Sequence, residues 1–331
     1  MIDTKLTALE LAVDDGAMCE RFAATLNSGR PPVTGVRHAV LKHTLGKRCV
    51  IEYWIDAPGA DEERLIGKVF RDQRGARVFA TLRRLHAASR AGGRLKPSFL
   101  MAEPLAYYPD LSMVVQTAAR GLELSRFGAD ADWVTAVRAV ADNLAALHGL
   151  PADVEPRSLS WLTHKLCRPT PAELVAARPE LADPVENILQ ALALADAAGP
   201  RTSVVHGDLG LGQVLCWEDR ATFVDLDGAC RSHAVLDVAN FIVSLRLRLG
   251  PMSPEPERVF TDRYLERRRG ESLAWLNAFE ALAYLRRAAT AFRKATTDDP
   301  DGFERARRLL AIGNWIARAV VDAGPRGRIA P

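Results

Sequence analysis

Cysteine is scarce in this 331-residue chain, and its five cysteines are dispersed: Cys19, Cys49, Cys167, Cys216 and Cys230. An odd number with no CxxC pair argues against a disulfide framework and a zinc site, and points to free thiols in a reducing cytoplasm. Surplus charge is scarce too. Lys and Arg total 44 against 41 Asp and Glu, a net charge of +3 that is too small for a general nucleic-acid binder. There is no long hydrophobic run. The longest near-apolar stretch, Ala234 to Leu245, holds Asp237 and Asn240, whereas roughly 20 apolar residues span a bilayer. The opening MIDTKLTALELAVDDG lacks the basic start and apolar block of a signal peptide. The expectation is a soluble cytoplasmic protein without a membrane or nucleic-acid partner. No GxxxxGKS or GxxxxGKT string occurs, which removes P-loop chemistry, and no GxSxG elbow points to a hydrolase.

What is present reads as two kinds of chain. Leu6, Leu9, Val13, Phe22 and Leu26 have helical spacing over residues 5–26, before Ser28-Gly29-Arg30-Pro31-Pro32 breaks the pattern. Strands are expected at His38 to His43, Arg48 to Ile55, Arg64 to Phe70, Phe99 to Leu105 and Ser112 to Gln116, with a turn at 45–47 and another around Tyr107 to Asp110. Val78, Phe79, Leu82 and Leu85 mark one inserted helix, closed by Gly92-Gly93. After Gly121 the pattern becomes helical: Trp133 to Leu147, 184–198, Leu236 to Leu247, about 257–269, and a stripe from Leu276 to Phe292. Two short apolar runs, Val204-Val205 and Thr222 to Val224, each end at acidic residues. The expected class is α+β with a small β-rich N-terminal lobe and a larger α-helical C-terminal lobe. The segments are 1–35, 36–118 and 119–331.

The segment HGDLGLGQVLCWEDRATFVDLD, His206 to Asp227, carries the chemistry. Asp208 is followed five residues on by Gln213, and then by Asp225 and Asp227. Phosphoryl transfer needs a carboxylate beside the acceptor hydroxyl and oxygen ligands for Mg²⁺, and protein kinases supply them from an Asp-x-x-x-x-Asn run and a later Asp. Lys68 lies on the third strand, where such a fold contacts the nucleotide phosphates. Each residue also has a plainer reading. Asp208 and Asp225 are residue types common in turns and caps, a strand lysine usually snorkels to solvent, and one glycine at 46 is weak evidence for a phosphate turn. Asp227 is either a metal group or a turn former. His148 reads as a packing histidine, His233 as a surface residue, and Asp298-Asp299-Asp301 as a solvated loop.

HGDLGLGQVL, with LKHTLGKRCVIEY and LDVANFI, resembles the aminoglycoside phosphotransferase/choline kinase family of protein-kinase-like fold, over about residues 36–295. Gln213 in place of the usual Asn resembles the maltokinase/glucosamine kinase-like branch. The resemblance implies ATP and Mg²⁺ as cofactors and a small-molecule hydroxyl acceptor: a sugar, amino sugar or aminoglycoside-like compound. It implies Asp208 as the catalytic base and Gln213, Asp225 and Asp227 toward the metal. Lys68 would hold the α/β phosphates, Gly46 the turn over them, and Gln116 to Ala118 the adenine-facing hinge. His206 and Asp237 would brace the catalytic loop. Two departures stand out. Residues 73–102 contain no Asp or Glu, and Ala76 stands about where the family places a Glu to pair with the strand lysine, which leaves Lys68 to another group such as Asp72. The N-terminal segment is short for a maltokinase cap. The competing functions are a catalytically weak, nucleotide-binding pseudokinase with a regulatory role, and a metal-dependent phosphohydrolase using His206, Asp208, Asp225 and His233.

Overall fold

The computed structural model describes residues 3–26, 32–59, 62–91, 99–198, 203–250, 254–295 and 300–323. The chain divides into two compact units, one of residues 1–120 with 222–227, the other of residues 121–221 and 228–331.

The first unit is a five-stranded antiparallel sheet with helices. Its strands are β1 (Gly35–Thr44), β2 (Arg48–Asp56), β3 (Glu63–Phe70), β4 (Pro104–Tyr108) and β5 (Met113–Thr117), in the order β1-β2-β3-β5-β4. The two-residue period of a strand assigns the faces. Cys49, Ile51, Tyr53 and Ile55 on β2, Leu65 and Val69 on β3, and Met113 and Val115 on β5 form one apolar face. Helices α1 (Leu9–Ala12) and α2 (Asp15–Thr25) cover that face with Leu9, Ala12, Met18 and Phe22. Phe22 meets the Tyr53 ring edge-on at 5.2 Å, and Tyr53 Oη donates to Ala12 O at 2.6 Å. The expected single helix over 5–26 is broken at Asp14. Its backbone is extended (φ −99°, ψ 110°) and its carboxylate accepts from Ala17 N–H, capping α2. The inserted helix, α3 (Arg74–Ala91), buries Val78, Leu82 and Leu85; Gly92-Gly93 lies outside the described residues. The fourth strand falls later than expected, because the buried Phe99 packs edge-on against Phe223 rather than entering a ladder.

The β1–β2 turn is held from the N-terminus. Gly46 has φ +64°, a conformation that favours glycine, and its N–H donates to Asp3 Oδ2 at 2.8 Å. His43 Nε2 is also 2.8 Å from that oxygen, and Lys5 N–H donates to Asp3 Oδ1. The Gly46 bond, helped by His43 and Lys5 against the opposing effect of burial, holds the Asp3 carboxyl down at about 2, against an ordinary 3.8. A depressed carboxyl contributes stability above its unfolded pKa and loses it as pH falls through the folded one. Asp3→Asn therefore lowers the melting temperature at neutral pH. The gap to wild type stays constant above roughly pH 4 and closes toward roughly pH 2. Thermal melts of both chains from pH 7 to 2 test this, and a gap that does not narrow in acid refutes it.

The second unit is mostly helical: α4 (Trp133–His148), α5 (Leu159–Leu166), α6 (Pro171–Ala177), α7 (Ala182–Ala198), α8 (Val235–Leu249), α9 (Glu255–Arg267), α10 (Leu276–Lys294) and α11 (Pro300–Ala323). Small residues at 278, 281, 288 and 289 are buried along α10, where α7, α8 and α11 pack closely on it. On α11, Ala306, Leu310, Ala317 and Val320 form the buried stripe. Asp301 lies in its first turn rather than in the expected loop, while 298 and 299 fall outside the described residues. Short strands complete this unit: β6 (Leu122–Glu123), β7 (Ser203–Val205), β8 (Val214–Trp217), the first half of β9 (Arg220–Phe223) and β10 (Cys230–Ser232). Among the described residues no helix is long and apolar enough to cross a membrane.

Candidate active site

In the first unit the candidate residues Lys68 and Gln116 lie on the sheet face opposite α1 and α2. Register places Lys68 between Val50 of β2 and Val114 of β5, and the same face carries Glu52, Ile66 and Gln116. Lys68 does not snorkel: it is 6% exposed, and Nζ donates to Asp225 Oδ1 at 2.8 Å and Asp227 Oδ1 at 2.9 Å. Burial alone would lower the ammonium pKa, but Asp227 and Asp225 outweigh it and hold the group above its ordinary value. The expectation of Asp72 as partner is corrected, since Asp72 Oδ1 instead accepts the N–H of Arg74.

The two carboxylates are brought to Lys68 by their backbone. Phe223, at the end of β9, donates its N–H to Leu100 O at 3.2 Å. Asp225 then adopts φ +64°, a left-handed conformation uncommon for a residue with a side chain, and the 3₁₀ turn Leu226–Gly228 presents Asp227. Arg48 Nη1 stands 3.8 Å from Asp225 Oδ1. Among the described residues no group of three or more His, Cys, Asp or Glu is arranged to hold a metal. A pair of hard carboxylates does not make a cage, but it fits Mg²⁺, which is commonly bound by one or two carboxylates together with substrate phosphates.

Gln116 is 6% exposed and pairs with Ile66. Ala118 N–H donates to Arg64 O at 2.8 Å and Thr117 N–H to Glu103 O, so both donors are engaged by the sheet. The Gly46 N–H is likewise engaged, by Asp3.

In the second unit, β7 pairs antiparallel with β10, Val205 opposite Cys230, and leads directly into His206. Gly207 turns the chain at φ +79°, and a Cβ there would stand 3.2 Å from Gly228 O. Asp237, in the first turn of α8, holds this turn: Oδ2 accepts His206 N–H at 2.6 Å and Oδ1 accepts Gly207 N–H at 2.9 Å. His148 Nε2 lies 3.2 Å from Asp237 Oδ2, and its Nδ1 lies 2.7 Å from Tyr264 Oη. The side chains of His148 and Asp237 are fully buried. The 148 position, read as packing, is thus a polar bridge from α4 to α9.

Asp208 follows the braced turn with its side chain 44% exposed, and it pairs with the Arg286 guanidinium from α10. Gln213 ends the 3₁₀ turn Leu211–Gln213 and is half-buried. His233 is corrected: it is 7% exposed rather than a surface residue, and Nε2 lies 3.0 Å from Asp196 Oδ1. Sequence reasoning missed Arg286 and Tyr264. Each stands in an ordinary amphipathic helix with no motif around it.

The model of the phosphotransferase enzyme family matches residues 52–270. No curated protein matches the chain in sequence. Among solved structures, the choline kinase of Cryptosporidium parvum Iowa II is 12% identical with TM-score 0.60, covering 94% of this chain and 97% of its own. A thermostable mutant of the aminoglycoside phosphotransferase APH(4)-Ia, solved as a ternary complex with AMP-PNP and hygromycin B, is 17% identical with TM-score 0.59, over 91% and 97%. The Plasmodium vivax ethanolamine kinase is 14% identical with TM-score 0.59, over 86% and 84%. These likenesses give the protein-kinase-like fold; the likeness to the maltokinase/glucosamine kinase-like branch rests on the motif string alone. With two thirds of its length under the family model and a β-sheet unit carrying a buried Lys68 ahead of a helical unit carrying Asp208, the chain belongs to the phosphotransferase enzyme family.

Proposed function

We propose that the chain transfers the γ-phosphoryl group of ATP to a hydroxyl of a small molecule, with Mg²⁺. The observation that carries this reading is Lys68 Nζ, buried and held by Asp225 and Asp227 at 2.8 and 2.9 Å. A buried ammonium with two carboxylates around it is what a triphosphate and its counterion require. Asp208 accepts the proton of the acceptor hydroxyl as its oxygen bonds to the γ-phosphorus and the bond to the ADP leaving oxygen breaks. Lys68 binds the α/β phosphates, and Gln116 and the 117–118 backbone border the base. Asp225, Asp227 and Gln213 would hold Mg²⁺, which when bound shields the phosphate charge. His206 and Asp237 fix the backbone from which Asp208 projects.

The pseudokinase reading drew on the missing acidic residue of α3 and on Gln213 in place of Asn. Lys68 meets two carboxylates without the α3 residue, which weakens the first of these grounds. The phosphohydrolase reading wants His233 at the metal, and His233 is engaged with Asp196.

A nucleotide-consumption assay over neutral, cationic and anionic hydroxyl compounds tests the proposal. ADP forms with at least one acceptor and ceases when EDTA removes the divalent ion. ATP binding with no transfer across the panel favours the pseudokinase. Lys68→Met lowers kcat/KM for ATP by about 10- to 100-fold, the equivalent of one or two charge-assisted hydrogen bonds. An unchanged ATP dependence in that variant removes the assigned role.

A further inference from the structure

The surroundings of Asp208 hold more positive charge than it balances. Arg286 and Arg287 are adjacent on α10. Arg286 pairs with Asp208, and its Nη1 is buried without a hydrogen-bond partner. Arg287 Nη2 donates to Ser244 Oγ and, at 3.5 Å, to Asn240 O, both on α8. Among the described residues no carboxylate pairs with Arg287. Burial, then repulsion from Arg287, brings the Arg286 guanidinium down to about 10, and burial lowers Arg287 as well; an arginine side chain in a protein keeps its proton at neutral pH. Of these two neighbouring guanidiniums one meets a carboxylate and the other meets only neutral oxygens. Arg246, on the neighbouring α8, is the contrast: Glu257 and Glu280 both pair with it.

The excess lies at the loop that carries Asp208. A Cβ on Gly210 would stand 3.1 Å from Ser244 Oγ, 3.2 Å from Gln213 Oε1 and 3.9 Å from Arg287 Nη2. Glycine two residues after Asp208 therefore leaves room in which Ser244, Gln213 and Arg287 meet. A site for a cationic acceptor would place carboxylates here. A half-buried guanidinium pair with an orphaned N–H suits a planar anion.

We propose that Arg286 and Arg287 bind a carboxylate or phosphate on the acceptor, which makes the acceptor class hydroxylated anions such as hydroxy acids, sugar acids or sugar phosphates. This rests on the reading of Asp208 as the group that meets the acceptor hydroxyl. It departs from the amino-sugar and aminoglycoside-like expectation. The acceptor anion meets the accessible part of the Arg286 guanidinium, whose side chain is 19% exposed, and leaves Asp208 to receive the hydroxyl proton.

The test compares size-matched acceptors: glucose, glucosamine, glucuronate, gluconate and glucose 6-phosphate, with glycerate as a small acid. In ATP-consumption assays the anions give the highest kcat/KM, and the better of the carboxylate and phosphate arms identifies the source of the charge. Arg286→Ala raises KM for the best anion by about 10- to 100-fold, leaves KM for ATP unchanged, and raises KM for glucose by a much smaller factor, so that the anion-over-neutral preference is lost. Arg286→Lys recovers part of the loss, and a thermal melt confirms that both variants fold. A preference for glucose or glucosamine overturns the proposal. So does an equal fall in kcat for every acceptor, which would place Arg286 on the transferred phosphoryl group instead. If no acceptor is phosphorylated, calorimetric titration with glycerate, gluconate and inorganic phosphate separates the two readings. Saturable binding lost in Arg286→Ala keeps the anion site while the kinase reading fails, and no binding of any of them removes both.

Discussion

Replacing Asp208 by Asn lowers turnover by on the order of 10²- to 10⁴-fold while ATP still binds, the usual contribution of a positioned base in the transition state. Asn keeps the volume and one oxygen but accepts no proton. The fold tolerates the change. The Asp208 side chain is 44% exposed and that of Arg286 19%, so their ion pair contributes no more than about 1 kcal/mol. Steady-state kinetics at saturating acceptor, with nucleotide binding measured separately, resolve the two effects. Turnover near wild type in a folded Asp208→Asn variant ends the assignment of Asp208 as base.

Asp237→Ala acts through stability and is the most damaging single substitution we expect outside the reacting groups. It strands the N–H groups of His206 and Gly207 and removes one of the two partners of His148, all within a buried cluster. Breaking one side of such a network costs about 3–5 kcal/mol, against a total of roughly 5–15 kcal/mol for a folded domain. Asp237→Asn costs less, because its one carbonyl oxygen can still accept from one of the two N–H groups. The expected sequence of urea midpoints is wild type, then Asn, then Ala. Activity falls in the same order, since the turn that presents Asp208 loses its anchor. An Ala variant with the wild-type midpoint would show that the loop holds itself.

Much of this architecture is written locally. Alternation in RCVIEYWI and RLIGKVF gives two neighbouring strands within a residue or two of their observed bounds, and the 3.6-residue period gives α4, α7, α8 and α10. The segment from His206 to Asp227 carries the spacing on which the expectation of phosphoryl transfer, and then the proposed function, rests. What is not local is not legible. Lys68 and Asp225 are 157 residues apart, and no pattern along the chain says that one ammonium meets both Asp225 and Asp227. The short helix α6 carried a readable signal that went unused: Thr170, Pro171 and Glu173 form a capping box with proline in the first turn. The long α11 was hidden because its arginines mask a narrow apolar stripe. Arg286 could not be told from a solvated helix arginine, because its role depends on what lies across from it.

The clamp on the His206–Gly207 turn is assembled from α4, α8 and α9, through His148, Asp237 and Tyr264, whereas Arg286 arrives from α10. With Arg286 in the acceptor-binding role proposed above, mechanical support and chemical selectivity fall to separate helices. A designer, or natural drift, can rewrite the α10 surface to accept different compounds while the reactive carboxylate keeps its mounting. Libraries that randomise positions 286 and 287 should consequently retain folded, nucleotide-competent members at a far higher rate than libraries built at 148, 237 and 264.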